Sequence, residues 1–203
     1  MMGGRSFSRR SPGAFCGVGC RAEFVLENVV AVWHDPPMNT AAMTWAEVCA
    51  IPWLKDIPAK IETNNQNKII MSPATTWHGD FQGEVYHNLR RLMPEGRALI
   101  ECPIDTTDGT RVPDVGWISR ARWLPHRRST SLPIAPEICV EILSPSNTRE
   151  EMLGKMLLYY AAGAEEVWLC DEEGVLEFFA KGRSESVAVS ALCPDFPQRL
   201  DVE

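Results

Sequence analysis

Residues 137–155, "EICVEILSPSNTREEMLGK", combine the pattern of a buried strand with that of a helix. The first half is a short apolar run that ends at Ser-Pro, which is typical of a strand covered on both faces of a sheet. The second half has the apolar spacing of a helix, and Thr148 and Glu151 are placed as a capping box at its start. A buried strand joined by a short loop to a helix predicts an α/β or α+β domain with helices packed on the sheet.

Glu141 is the exception within this strand. Because side chains alternate between the faces of a sheet, Glu141 shares its face with Cys139 and Leu143, and both faces are otherwise apolar. Ionised carboxylates are rarely buried without a partner cation or a metal. Alone, Glu141 is equally compatible with a strand end that emerges into solvent.

Asp114 raises the same question in the preceding apolar strand, "VPDVGWIS". By itself Pro-Asp is a common turn dipeptide. Two carboxylates on neighbouring strands, however, suit a hard divalent ion such as Mg²⁺ or Mn²⁺. Such an ion can polarise a phosphoryl oxygen and lower the pKa of a bound water. We therefore expect carboxylate oxygens of Asp114 and Glu141 within about 5 Å of a common point.

Lys155 lies on the helix that follows Glu141, beside the apolar stripe of that helix. A lysine in this position is usually a surface residue whose stem covers apolar side chains. Here the short connecting loop returns the helix towards the end of the strand that carries Glu141. An ammonium there could orient a nucleophilic water and stabilise negative charge on a phosphate.

The other elements follow from apolar periodicity, caps and turn residues. We predict, in chain order, a short helix from Met43 with a capping box at Thr44 and Glu47, a hairpin at 59–71, a helix at 75–93, strands at 97–104 and 111–119, a polar proline-containing loop at 120–135, a helix at 149–162, and strands at 165–171, 175–180 and 186–190. Residues 1–42 are rich in Gly, Ser and Arg, and we expect a disordered tail or an over-extended gene start there. Residues 43–203 are then one domain.

Composition excludes some classes of protein. The longest apolar runs are too short to span a membrane. The net charge is -7, with 27 acidic and 20 basic residues, which argues against a protein that binds nucleic acid mainly by non-specific phosphate attraction. It does not exclude an enzyme with a local basic patch. From Cys49 onward the cysteines are isolated, which indicates a reducing, cytoplasmic location.

From about Met43 to Asp171 the chain resembles the Uma family of restriction endonucleases, within the PD-(D/E)XK nuclease superfamily. The likeness is carried by "MTWAEVCAI", "MSPATTWHGDFQGEVYHNL", "VPDVGWIS" and "EICVEILSPSNTREEMLGKMLLYYAAGAEEVWLCD". The resemblance implies a restriction-endonuclease-like core, in which a mixed β-sheet flanked by helices holds a metal site. By position, Asp114 and Glu141 match the acidic residues of the motif. The usual lysine follows the acidic residue by two, where this chain has Leu143, so Lys155 is the matching lysine.

The resemblance and the local pattern add further candidates. The superfamily often uses an acidic residue of the first core helix, which is Glu84 here, although a solvated helix-face glutamate explains it equally well. His78 and Gln82 lie one helical turn apart and could line the same cleft. Basic residues cluster after the Asp114 strand, and they either contact phosphate or belong to a solvated loop. The candidate phosphate contacts are Arg120, Arg122 and Arg127.

Together these observations predict a cytoplasmic, Mg²⁺- or Mn²⁺-dependent endonuclease that hydrolyses phosphodiester bonds, with DNA as substrate and a homodimer as a compatible assembly. Asp114 and Glu141 are the predicted metal ligands, and Lys155 completes the catalytic set. The alternative is a catalytically inactive module of the same fold that binds nucleic acid or oligomerises. A hydrolase acting on another phosphate-containing substrate is the third hypothesis.

Overall fold

The computed structural model describes residues 21–25, 30–34, 43–66, 68–73, 75–145 and 147–201. The helices are α1 (Trp45–Ala50), α2 (Thr76–Leu92), α3 (Arg120–His126) and α4 (Arg149–Ala162), with a 3-10 helix at Pro52–Asp56. The strands are β1 (Arg21–Val25), β2 (Val30–His34), β3 (Ala59–Thr63), β4 (Ile69–Pro73), β5 (Arg97–Ile100), β6 (Ile104–Thr106), β7 (Gly109–Arg111), β8 (Val115–Ile118), β9 (Ile138–Ile142), β10 (Glu166–Cys170) and β11 (Leu176–Ala180).

A five-stranded sheet with the order β11-β10-β9-β8-β5 forms the centre of the fold. β9 and β10 are parallel and the other neighbours are antiparallel, so the sheet is mixed. α2 packs on one face through Phe81, Val85 and Leu89. α4 packs in the second core cluster, on the opposite face, through buried residues that include Met156 and Tyr159. The prediction of an α+β domain with a mixed sheet flanked by helices is confirmed.

Both predicted capping boxes are present, one at the start of α1 and one at the start of α4. Thr44 and Glu47 bond each other's backbone amides at the start of α1, and Thr148 and Glu151 do the same at α4. α4 ends where Gly163 adopts a φ of 111°, a left-handed conformation that favours glycine. These local signals fix where α4 begins and ends, and therefore which of its residues face the sheet.

The register between β8 and β9 brings the two acidic positions together. Val115 pairs with Val140 and Gly116 with Cys139 in this antiparallel ladder. Extending the ladder by one residue places Asp114 opposite Glu141, and alternation puts both side chains on the face that α4 covers. The site therefore lies at one end of the sheet, where β8 begins and β9 ends.

The strands predicted at 97–104 and 111–119 were too long, since β5 and β8 cover only part of them, and two further assignments were wrong. Residues 120–135 were expected to form a loop, but the segment begins with α3. Ser119 caps this helix by accepting from the amide of Arg122, and Pro125 removes an amide donor from its last turn, after which the helix ends at His126. The strand expected at 186–190 is reduced to an isolated bridge between Val187 and Phe178.

The first part of the chain contains a hairpin in which β1 and β2 pair antiparallel. The prediction of a disordered or over-extended tail at 1–42 stays a prediction, because residues 1–20, 26–29 and 35–42 lie outside the described residues. None of the helices in the described ranges is long and apolar enough to cross a membrane.

Candidate active site

Asp114 stands directly before β8 and its side chain is 1% exposed. One carboxylate oxygen, Oδ1, accepts a hydrogen bond from Lys60 Nζ at 2.6 Å. The other, Oδ2, accepts from the backbone amide of Ile142 at 2.7 Å. Both oxygens are thus held in place, one by a cation from β3 and one by the end of β9.

Glu141 occupies the neighbouring position on β9 and is also buried. Its Oε1 accepts hydrogen bonds from Lys155 Nζ at 3.0 Å and from the Tyr159 hydroxyl at 2.5 Å. Its Oε2 lies 3.4 Å from Lys60 Nζ. The loop after β9 therefore folds α4 back as expected, and Lys155 reaches the carboxylate that precedes it in the chain.

A third carboxylate, Glu62, enters the site from β3. Its Oε1 accepts from the amide of Val112 at 2.7 Å and lies 3.1 Å from Lys155 Nζ. Lys155 consequently bridges Glu62 and Glu141, and Lys60 bridges Asp114 and Glu141. The charge cluster, as we call this set, consists of Lys60, Glu62, Asp114, Glu141, Lys155 and Tyr159.

The electrostatics of the charge cluster keep both lysines charged. Burial opposes the charged form of Lys60, but the carboxylates of Glu141 and Asp114 outweigh burial and raise its pKa. Lys155 behaves similarly: burial lowers its pKa, while Glu141 and Glu62 raise it by more. Two ammonium groups therefore face three carboxylates in a region of low solvent exposure.

The two central carboxylates differ in how firmly they hold their charge. Burial acts to raise the pKa of Glu141, but Lys155 and Lys60 lower it to about 2. Burial raises the pKa of Asp114, and Lys60 opposes that rise only in part. Glu141 is thus the more stable anion, and Asp114 is the carboxylate that the fold compensates less well.

The arrangement fits a divalent cation held by Asp114 and Glu141. Asp114 Oδ1 and Glu141 Oε2 both lie within 3.4 Å of a single atom, Lys60 Nζ. The two oxygens therefore meet the expectation that they lie within about 5 Å of a common point. Within the described ranges no three His, Cys, Asp or Glu side chains form a metal-binding group. Mg²⁺ is nevertheless commonly bound by one or two carboxylates, with water and substrate phosphate supplying the other oxygens. Two convergent carboxylates are therefore a sufficient protein contribution.

Of the three candidate site residues on α2, His78 and Gln82 lie next to Asp114 and Glu84 does not. His78 Nε2 lies 3.2 Å from Asp114 Oδ2, and Gln82 Nε2 donates to the Asp114 carbonyl at 2.8 Å. Among the described residues, the Glu84 side chain makes no hydrogen bond or ion pair with the charge cluster. Its proposed assistance in catalysis therefore lacks a contact that would support it.

The arginine candidates lie at the other end of the sheet. α3 follows the end of β8, whereas Asp114 precedes its beginning. Arg122 is paired with Glu137 at 3.1 Å, and Glu137 lies four residues from Glu141 on the same extended segment, about 13 Å along it. Arg120 and Arg127 are exposed on and just after α3. The fold thus does not bring these arginines to the carboxylates.

Arg122 is expected to act in stability instead of phosphate binding. It donates to the carbonyl oxygens of Ala135 and Gly163 and pairs with Glu165, in addition to Glu137. Arg122→Ala should lower the free energy of unfolding by about 2 kcal/mol, because it leaves these acceptors without their donor. Denaturant unfolding measures this loss, and Arg127→Ala, at an exposed position, is the control. A tenfold loss of DNA affinity at unchanged stability would contradict the assignment.

Sequence reasoning missed three members of the charge cluster. Lys60 and Glu62 alternate on β3, so that both point to the same side, with Ile61 between them. Tyr159 lies one turn after Lys155 on α4, which places it on the same helix face. The alternation Lys-Ile-Glu was a readable signal of a polar strand face, but nothing in the sequence indicated what that face meets.

A cavity of about 270 Å³ adjoins the charge cluster. Lys60 lines it together with Trp45, Lys55 and Glu101. Glu101 adopts a φ of 47°, and its amide donates to the Asp114 carbonyl at 3.1 Å, so the cavity wall is tied to the site. The cavity is lined mainly by apolar residues, with Lys55, Lys60 and Glu101 as its charged residues.

Comparisons with known proteins agree with this architecture. A model of the Uma2 family, described as "Putative restriction endonuclease", matches residues 45–201. Among solved structures, a "putative nuclease belonging to DUF820 from Anabaena variabilis" matches with a TM-score of 0.63 and 22% identity, covering 77% of this chain and 94% of that one. The comparison with curated proteins found no match. The core therefore has the restriction-endonuclease-like fold that the sequence resemblance implied.

Proposed function

Because the chain belongs to the Uma2 family, we propose that it is a metal-dependent endonuclease that hydrolyses phosphodiester bonds in DNA. The family description supports nuclease activity, and the site supplies the chemistry. The observation that carries the proposal is the convergence of Asp114 Oδ1 and Glu141 Oε2 on one cationic atom at the end of the sheet. Such oxygens are the ligands that Mg²⁺ and Mn²⁺ prefer.

In this proposal Asp114 and Glu141 hold the ion, which when bound polarises the phosphoryl group and lowers the pKa of a bound water. Lys155 keeps its ammonium 3.0 Å from Glu141, where it can position the water and stabilise negative charge on the phosphate. Tyr159 donates to the same oxygen of Glu141 and fixes the orientation of that carboxylate. Gln82 holds the backbone of Asp114 by donating to its carbonyl, and His78 Nε2 lies 3.2 Å from Asp114 Oδ2 without a hydrogen bond to it.

A nucleic-acid substrate is supported by the cavity beside the charge cluster. A nucleotide needs a cation for its phosphate and an apolar surface for its base. Lys55 supplies a cation to the cavity and Trp45 an aromatic surface, while Lys60 lines the cavity with its ammonium on Asp114 and Glu141. Since the whole chain has a net charge of -7, binding must depend on these local cations and should weaken as salt rises.

The second candidate is an inactive module of the same fold, and one observation favours it. Lys60 and Lys155 already neutralise much of the carboxylate charge, as in a purely structural network of ion pairs. The two candidates differ in one measurable property. A structural network has no need to bind a divalent ion, whereas a nuclease of this kind requires one.

Cleavage assays on the purified full chain test the proposal. We expect Mg²⁺ or Mn²⁺ to support cleavage of double-stranded, single-stranded or branched DNA, and excess EDTA to abolish it. RNA of matched sequence is the control for substrate class. Cleavage of RNA alone would overturn the assignment to DNA, and failure of both ions to support cleavage of any nucleic acid would overturn the enzymatic proposal.

A further inference from the structure

Lys60 occupies an unusual position for a lysine on a short hairpin. Its Nζ lies 2.6 Å from Asp114 Oδ1 and 3.4 Å from Glu141 Oε2, and its side chain is 10% exposed. Asp114 and Glu141 lie at the end of the central sheet, whereas Lys60 lies on β3, which among the described strands pairs with β4 in a two-stranded sheet. The β3–β4 hairpin thus places a positive charge between the two proposed metal ligands.

An ammonium and a divalent ion cannot share this place. Mg²⁺ requires its oxygen ligands at 2.0–2.1 Å, and a second cation contacting the same two oxygens would repel it. Lys155 does not compete with the ion in this way, because its ammonium contacts Oε1 of Glu141 and is also paired with Glu62. Of the two lysines, Lys60 is therefore the one that must leave when an ion binds to Asp114 and Glu141.

A neighbouring cavity offers the Lys60 ammonium a second position. It lines the cavity next to the charge cluster, and a lysine has a flexible four-carbon stem that allows its ammonium to swing. In the cavity the ammonium would meet the phosphate of a bound substrate, which is a strong acceptor for it. The same side chain can therefore serve the carboxylates in the free protein and the phosphate in the complex.

We propose that Lys60 is a built-in counter-ion that competes with the divalent cation for Asp114 and Glu141, and that its transfer to substrate phosphate couples metal binding to DNA binding. This inference rests on the proposed function, since it needs a metal at these two carboxylates. It assigns Lys60 a positioning role that weakens metal binding in the free protein. Because coupling between two ligands is reciprocal, DNA and metal each raise the affinity for the other.

Titration calorimetry with Mn²⁺ on the DNA-free full chain tests the inference. Lys60→Met removes the competing charge but keeps an apolar stem, and we expect it to tighten Mn²⁺ binding at least about tenfold. Lys155→Met removes a charge of the same sign from the same cluster, and it should tighten binding much less. Lys60→Gln serves as the second variant if the methionine variant does not fold.

The outcomes separate the inference from the proposed function. Wild-type protein that binds Mn²⁺ while both Lys60 variants bind no more tightly would overturn the counter-ion role and leave the nuclease proposal standing. Tight binding by Lys60→Met that persists after a second change, Asp114→Asn, would overturn it as well, because the ion would then lie elsewhere. Absence of Mn²⁺ binding in every variant would overturn both proposals.

Discussion

Asp114→Asn is expected to reduce metal-dependent DNA cleavage at least about 1000-fold. The substitution removes one of two proposed carboxylate ligands, and a bound ion contributes several kcal/mol of transition-state stabilisation, of which about 4 kcal/mol corresponds to this factor. Single-turnover cleavage with enzyme in excess measures the chemical step directly. Calorimetric titration with Mn²⁺ on the same sample should show the accompanying loss of metal affinity.

The same substitution should leave the protein folded. Asparagine keeps one of the two acceptors that Lys60 and the Ile142 amide use, so about 2 kcal/mol of the free energy of unfolding should be lost. Because burial raises the pKa of Asp114, the fold gains little from the charge itself. Asp105→Asn, on the exposed side of β6, is the matched control and should cleave normally. Residual cleavage within tenfold of wild type would contradict the role of Asp114.

The part of the site that sequence reasoning found is local in the chain. Glu141 and Lys155 belong to one strand–loop–helix unit, and the capping box at Thr148 fixes where the helix begins. Once the strand is known to be buried, a short connection leaves the helix few ways to pack, so Lys155 must return near Glu141. Placing Asp114 in the same site required one further assumption, that its strand pairs with the strand of Glu141. The register between β8 and β9 shows this pairing.

The part that sequence reasoning missed depends on contacts between distant segments. Lys60 meets Glu141 across 81 residues and Asp114 across 54. Its strand pairs in a separate hairpin, and apolar periodicity does not tell how one small sheet packs against another. The assignment of Arg120, Arg122 and Arg127 to phosphate contact stays a prediction, although the fold places them away from the carboxylates. A strand carries its two ends apart, and Arg120 leaves β8 at the end away from Asp114.

The two lysines of the charge cluster differ in the carboxylate oxygens that they contact. Lys60 contacts one oxygen of each proposed ligand, so its removal should act first on metal binding. Lys155 contacts the oxygen of Glu141 that Lys60 leaves free and is fixed by Glu62, so it can remain in place during the reaction. This division predicts different kinetic consequences for two substitutions of the same chemical kind.

Lys155→Met is accordingly expected to lower kcat about 100- to 1000-fold while KM changes little. Removal of one preorganised donor that acts on developing charge typically costs this much. Steady-state kinetics at saturating Mg²⁺ separates kcat from KM, and unfolding experiments must accompany it, because Glu62 and Glu141 lose a shared cation. Lys55→Met is the matched control: Lys55 lines the cavity, and among the described residues it makes no ion pair with the charge cluster, so it should raise KM and spare kcat.

A Lys155→Met enzyme that kept its kcat would contradict the catalytic assignment of Lys155 and would indicate Lys60 as the lysine that acts in catalysis. Lys60 would then have to stabilise the phosphate alone after leaving the carboxylates, and Lys60→Met would lose kcat despite binding metal more tightly. If Lys155 is the catalytic lysine, the order reverses: Lys60→Met binds Mn²⁺ in the absence of DNA and still cleaves, whereas Lys155→Met binds DNA and metal but does not turn over. The same pair of variants therefore tests which lysine turnover requires, namely the one whose loss lowers kcat while DNA and metal still bind.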